Sequence, residues 1–420
     1  MRTTIALLLC AGGAAAWGDS KLRLDVLGIV SLPSGERMDG AVVGGLSSIA
    51  YDPGSDRFWA LSDFEGPGMA RLFEIDLPYD GAGVGEPKPV AFRPLLLPDG
   101  SRMPGIDAEG LALLPGADVF FVSTEGRMGG DREYGIPPWV GRFDAATARL
   151  DRLLPVPEVF LPRDAEGRQV YPGAPAQATG VRYNFGFEAL GATPSGAALY
   201  VANEAALLQD DPRPPFDSQW NQANGSAVRI TRFDDPLGDS PAAAAQRVYV
   251  ADAGSLFFVV RRFNTVSSLL PVDDSGRILV LERGLIANSL DTGSYRIRIY
   301  EVDFNEAGAT DVSEHPSLID SEWKALSKRR VWEASSGMDN IEGMTWGRPV
   351  DGFRTLVLIS DDNFFRRSSR QETQFVVLRT NISAGSESRV AALLKGVPKL
   401  PPALGAYLDK PEGGERRGDE

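Results

Sequence analysis

The sequence predicts an all-β protein built as a single β-propeller of five or six blades, each of about four antiparallel strands. Two observations carry that expectation. Short apolar strands ending on a carboxylate recur five times, and a sharper pattern recurs in the strand that follows each of them.

The five units run from Gly45-Leu46 to Asp63, Glu109-Gly110-Leu111 to Glu125, Glu188-Ala189-Leu190 to Glu204, Ser268-Leu269 to Glu282, and Glu342-Gly343-Met344 to Asp361. Each opens a first strand, turns, and continues as a run such as Phe58-Trp59-Ala60-Leu61, Val119-Phe120-Phe121-Val122 or Leu356-Val357-Leu358-Ile359. Runs of this length, rich in β-branched and aromatic residues and bounded by turn signals such as Asp52-Pro53-Gly54 and Asp273-Asp274-Ser275-Gly276, read as strands. In the third strand, Arg71-Leu72-Phe73-Glu74-Ile75-Asp76 matches Arg229 to Asp234 and Arg298 to Asp303, with looser copies at Val140 to Asp144 and Phe375 to Leu378. A weaker fourth strand is expected near Val90 to Leu97, Arg152 to Phe160, Arg247 to Val250 and Arg329 to Trp332. Four strands per unit, repeated around an axis, make propeller blades.

The units exceed the roughly 40 to 50 residues of compact blades. Insertions account for the excess, notably the aperiodic stretch from Ala205 to Ser226. A sixth blade is sought in 151–180 or 251–267. The N-terminal strand from Leu22 to Leu32 is expected to pair into the last blade and close the ring, which removes an exposed edge. The domain is therefore set at 22–400, with a disordered tail at 401–420, rich in Pro, Gly and charge.

Residues 1–16 read as a secretory signal peptide: Arg2, a short apolar run from Ile5 to Leu9, and small residues through Ala16. An exported protein, periplasmic or extracellular, is expected. Acylation of Cys10 as a lipoprotein is the alternative, disfavoured by bulky Leu9 before it. No later segment has the roughly 18 consecutive apolar residues of a membrane span. Cys10 is the only cysteine, so the mature chain has no disulfide and depends on its core. A formal charge of −14 argues against nucleic acid as partner and permits divalent cations. The single histidine, His315, sits in a polar stretch before Pro316 and reads as an exposed loop residue. Histidine-dependent triads, histidine-ligated zinc and histidine phosphatase chemistry are excluded on that ground.

The chemistry must then rest on carboxylates and arginines. Glu109, Glu188 and Glu342 stand at the same place before three first strands, and Asp63, Glu125, Glu204, Glu282 and Asp361 with Asp362 end the second strands. A propeller brings equivalent positions together at its axis. Crowded like charges are relieved by a raised pKa, an arginine or a cation. Calcium suits such a setting because it takes six to eight oxygens and needs neither His nor Cys. The candidate metal ligands are Glu109, Glu188, Glu342, Asp63, Glu125, Glu204 and Asp361, with Asp107, Asp339 and Asn340 as nearby oxygen donors. The competing reading is that these acids pair with Arg127, Arg182, Arg283 or Arg298 and only fasten neighbouring blades.

Several blocks in consistent order resemble the phytase-like family, also called the esterase-like activity of phytase family. They are Gly45 to Asp52 with Phe58 to Asp63, Asp107 to Leu111, Asn184 to Leu190, Leu281 to Arg283 with Arg298 to Asp303, and Asn340 to Met344 with Ser360 to Phe364. The resemblance implies activity on phosphate or carboxyl esters and, by analogy with calcium-dependent propeller phytases, a carboxylate-held cation that neutralises substrate phosphate. Arg127, Arg182 and Arg366 are the candidate substrate ligands, since guanidinium grips phosphate oxygens in pairs. A monomer acting on a small ester or phosphoester is expected. The alternatives are a non-catalytic propeller binding a ligand or protein through the Asp210 to Asn224 insert, and a lactonase-type propeller. Metal-free serine esterase chemistry is disfavoured, as no G-x-S-x-G elbow occurs.

Overall fold

The computed structural model of the chain describes residues 21–384, apart from Ser34, 64–69, 104–105, 115–116, 127–135, 212–224, 254–260, 288–293, Asp320, 335–337 and 366–370. The expected leader, Cys10, the tail, Arg127, Arg366 and most of the Asp210 to Asn224 insert lie outside the described residues. Five four-stranded antiparallel sheets form a five-bladed propeller. Among the described residues helical structure is confined to short 3-10 turns, and no helix is long and apolar enough to cross a membrane.

Blade one comprises Leu46–Asp52, Arg57–Ser62, Arg71–Asp76 and Lys88–Pro94; blade two comprises Ala108–Leu113, Val119–Thr124, Trp139–Asp144 and Arg149–Leu153. Blade three runs through Phe187–Ala192, Ala198–Asn203, Ser226–Asp234 and Ala242–Ala251, and blade four through Arg261–Pro271, Arg277–Ala287, Ser294–Asp303 and Lys328–Glu333. Blade five is assembled from both chain regions: Ile341–Val350, Phe353–Ser360 and Thr373–Ser383, completed by the N-terminal strand Leu24–Leu32 lying antiparallel on Thr373–Ser383. The first strands of consecutive blades touch in order around the ring, including blade five against blade one.

The hydrophobic pattern explains the stacking. Side chains on a strand alternate between faces, and every second strand is apolar on both because each face meets a neighbouring blade. Phe58 and Ala60 pack toward blade five with Val357 and Ile359, whereas Trp59 and Leu61 pack toward blade two with Phe120 and Val122. Each of the five blade interfaces has one such cluster.

The sixth blade sought in the long segments does not form. Residues 151–180 carry a two-stranded sheet of Arg163–Asp164 and Gln177–Thr179, and the first strand of blade four begins at Arg261, ahead of the expected Ser268. The fourth strand of blade two ends at Leu153; Glu158–Phe160 is a 3-10 turn. His315 is half-buried, on a connection whose Val312 and Leu326 amides donate to Gln246 and Val248 carbonyls on the outer strand of blade three. The segment covers an edge that would otherwise invite pairing.

Candidate metal centre where the blades converge

The first strand of every blade is broken at the same place. Its ladder with the second strand slips after Leu46, Ala108, Phe187, Val266 and Ile341, which pair with Ser62, Thr124, Asn203, Glu282 and Ser360. A bulge leaves its extra residue out of the ladder and re-aims the side chain. The residues so released are Ser47, Glu109, Glu188, Ser267 and Glu342, all buried. One step beyond each pairing on the second strand stand Asp63, Glu125, Glu204, Arg283 and Asp361. Four of these donate their amides back to the residue before the first strand: Asp63 to Gly45, Glu125 to Asp107, Glu204 to Gly186 and Asp361 to Asn340.

Register therefore corrects one member of the expected acidic set. In blade four the ring position belongs to Arg283, and Glu282 turns into the interface between blades three and four. There Glu282 accepts from the Tyr249 hydroxyl (2.5 Å), Asn264 Nδ2 (2.6 Å) and Lys328 Nζ (2.6 Å). The longer first strand, with its slip between Val266 and Ser268, sets this offset.

Glu109, Glu188 and Glu342 come together from blades two, three and five. Each offers an oxygen within 4.8 Å of the others, as do Asp107, Glu109 and Glu125, and likewise Glu125, Glu188 and Glu204. All six are buried. Two oxygens on one divalent cation of about 2.4 Å metal–oxygen distance are at most about 5 Å apart, so each trio has a spacing that one ion could bridge. Asp63 and Asp361 fall outside these trios, though close enough to be felt electrostatically by Glu109 and Glu188 respectively.

Burial foremost, then neighbouring carboxylates, raises three of the glutamates well above the usual range. For Glu109 the neighbours are Glu188, Asp107 and Glu125; for Glu125 they are Glu188, Asp107 and Glu204, opposed by the Gly186 amide. Glu188 is raised by burial and Glu204 while Arg283 pulls it down. Burial works against charge on Arg283, yet Glu204 and Glu188 hold it more firmly protonated than an ordinary arginine. Its guanidinium donates to Glu204 Oε1 (2.6 Å), to Asn340 Oδ1 (3.0 Å) and to Glu342 Oε1, and lies 3.8 Å from Glu188 Oε1.

The same groups also fasten blades. Glu125 Oε1 accepts from the Gly186 amide of blade three at 2.9 Å, Glu204 Oε1 from the Thr265 hydroxyl of blade four at 2.8 Å, and Asp362 Oδ1 from the Gly45 amide of blade one at 2.8 Å. Arg182 is buried, with its Nε on the Ala206 carbonyl (3.0 Å) and Nη2 3.9 Å from Asp211, neither a member of the cluster. Arg298 binds Asp252 (2.7 Å) and Glu333 (3.3 Å) away from the cluster. The recurring third-strand arginine serves structure elsewhere too: Arg229 grips Asp210 through both carboxylate oxygens, at 2.7 and 2.9 Å, with neither side chain exposed. Ser47, Ser267 and Arg283 are the ring members that a search for acids passes over; counting along the ladder from the bulge finds all three.

A family model described as "Phytase-like: Esterase-like activity of phytase" matches residues 41–364. No match was found among curated proteins. Among solved structures, a periplasmic gluconolactonase from Pseudomonas aeruginosa is 12% identical, with 86% of this chain and 99% of that chain covered at a TM-score of 0.34. An endo-arabinanase from Bacillus licheniformis is 12% identical, with 80% and 94% covered at a TM-score of 0.35. These two likenesses carry no functional weight.

Proposed function

The chain belongs to the phytase-like family, and from that premise we propose that it is a calcium-assisted hydrolase of phosphate or carboxyl esters. The observation that supports this most directly is the convergence of six buried carboxylates from three blades, spaced for a divalent cation. Bound calcium would supply a positive centre that neutralises the ester oxygen on which negative charge builds. The chain's own part is to gather the oxygens, hold them on rigid strands and keep bulk water out. Burial beside one another raises Glu109, Glu125 and Glu188 above the usual carboxylate range, so a cation would offset the cost of ionising them together. Arg283 fixes Glu204 and Glu342 in place. Export by way of residues 1–16, with a domain over 22–400, forms part of the same reading; N-terminal sequencing of the mature protein tests it.

The functional test is turnover of a panel of phosphomonoesters, acyl esters and lactones, with calcium and with a chelator. Chelation should abolish hydrolysis, and so should Glu109→Gln or Glu342→Gln, each with the cooperative melt retained. Calcium-loaded protein that turns over nothing in the panel, while retaining a partner from extract, would hand the assignment to the binding alternative. Turnover of lactones alone would make it a lactonase.

A further inference from the structure

In blades one to four the link from the third strand to the fourth packs on the preceding blade. In blade one, Val84 lies against Gly28 of the strand Leu24–Leu32, so close that a Cβ on that glycine would come within 2.8 Å of it, and the Tyr79 hydroxyl donates to the Arg348 carbonyl of blade five at 3.1 Å. In blade two, the Ala145 carbonyl accepts from Arg93 of blade one at 3.0 Å. In blade three, the Leu237 carbonyl accepts from Arg142 of blade two at 2.9 Å. In blade four, the Leu326 amide donates to the Val248 carbonyl of blade three at 2.9 Å. Blade five has no such covalent link. Its fourth strand is the N-terminal Leu24–Leu32, and its third, Thr373–Ser383, leads through Ala384 into 385–420.

The place where that link would lie is the gap between blades four and five, and it is apolar. Residues opposite one another in a ladder share a face. Val26 pairs with Leu378 and Ile29 with Val376, and both partners belong to the core shared with blade four. Val26 and Ile29 therefore face blade four, yet they are 47% and 44% exposed. Val331 and Trp332, from the outer strand of blade four, pack on the same core and are only partly buried. Among the described residues, no backbone of another segment bonds to the outer edge of Lys328–Glu333. A bare strand edge beside apolar side chains invites a partner.

We propose that the chain's own residues 390–394, Val-Ala-Ala-Leu-Leu, fill this gap in place of the missing link, docking on Val26 and Ile29 and along the outer strand of blade four. Position selects this occupant first: the chain leaves blade five at Ala384, where the other links leave their third strands. Chemistry selects it second, since the run is apolar like the gap and is bounded by Arg389 and Lys395, which suit its watery ends. Reach is the third ground. Val390 lies as many residues beyond Ala384 as Leu378, the partner of Val26, lies before it, and Ala392 stands in the same relation to Val376, the partner of Ile29. A segment turning back at about 3.4 Å per residue therefore comes level with both exposed side chains. The docked run would complete the perimeter of the propeller as the other links do, and it owes nothing to the calcium reading.

Hydrogen exchange of the full chain, read by mass spectrometry, tests the docking. Amides of 390–394 should exchange at least about tenfold more slowly than in an unstructured peptide of the same sequence. Val26→Asp combined with Ile29→Asp, at positions already open to water, should bring them to within about twofold of that peptide while the amides of Phe58 to Leu61 in blade one stay protected. Val26→Leu with Ile29→Leu, which keeps the surface apolar, should preserve the protection. Peptide-like exchange of 390–394 in the parent would overturn the proposal, and so would protection that survives the paired aspartates. Should the paired aspartates not fold, Leu393→Asp decides: loss of protection across 390–394 supports the docking and retention refutes it. Sedimentation covers the other occupant. A parent dimer that the paired aspartates dissociate, with 390–394 unprotected, would give the gap to a second copy of the chain and overturn the proposal.

Discussion

Stripping the protein of cations and raising the pH should destabilise it between pH 5 and 8. Glu109, Glu125 and Glu188 have folded-state pKa values raised above 4.5, the ordinary value for glutamate, by burial and by each other. A group raised in the folded state contributes stability below its unfolded pKa, and that contribution disappears as pH climbs toward the folded value. The folded chain therefore holds more protons than the unfolded chain over this window, and stability falls by about 1.4 kcal/mol per pH unit for each extra proton. Each pH unit over which one such proton is held only by the folded chain therefore costs about 1.4 kcal/mol. With roughly 2.1 cal/mol/K of unfolding entropy per residue over 21–384, a fold of this size loses about 2 °C of Tm for each such unit. The carboxylates shifted downward, including Asp252, Glu306 and Asp311, act at the other end: their stabilisation is present above about pH 4 and lost below it. With one histidine in the chain, few other groups titrate in the window. Scanning calorimetry at pH 5, 6, 7 and 8 in chelator measures the slope, and excess calcium should flatten it by taking the place of the protons. A Tm that stays level or rises from pH 5 to 8 in chelator would refute the reasoning.

Glu109→Gln should reduce that slope in chelator by removing one of the coupled acids, measured by the same melts. Arg229→Met leaves the unexposed Asp210 carboxylate without its two-pronged partner and should cost about 3–5 kcal/mol in urea unfolding. Gly186→Ala places a Cβ 2.2 Å from the Glu125 carbonyl oxygen and 2.4 Å from its Cα, so backbone must move; a loss of about 1–3 kcal/mol and weaker calcium binding are expected from melts and calorimetry. Glu282→Gln disturbs a buried acceptor of three side-chain donors and should cost about 1–3 kcal/mol while ester turnover per folded molecule persists, which checks that Glu282 lies outside the site.

The blades were legible because each second strand is apolar on both faces, a pattern that only sandwiched sheets need; Phe58 to Leu61 and Leu356 to Ile359 announce it directly. The gathering of Glu109, Glu188 and Glu342 followed from their equivalent places in the repeat. Register within blade four did not follow, because Glu282 and Arg283 are adjacent and both suit the end of a strand. Which of them faces the axis is fixed by the slip between Val266 and Ser268, a backbone event with no residue signature of its own. The third-strand arginine pattern was visible as repetition, but its use was not: Asp210, the partner of Arg229, sits in an aperiodic insert that lines up with nothing in the other blades.

The join in blade five orders events in time. Strand Leu24–Leu32 is among the first parts of the chain to be synthesised, and its partner Thr373–Ser383 comes more than 300 residues later. Blades one to four can pack before that partner is in place, but the circle cannot shut until Thr373–Ser383 is laid against the first strand. Until then Glu342, from blade five, is missing from the acids gathered from blades two and three. The full set of six acids is therefore complete only once the two distant ends of the domain are joined.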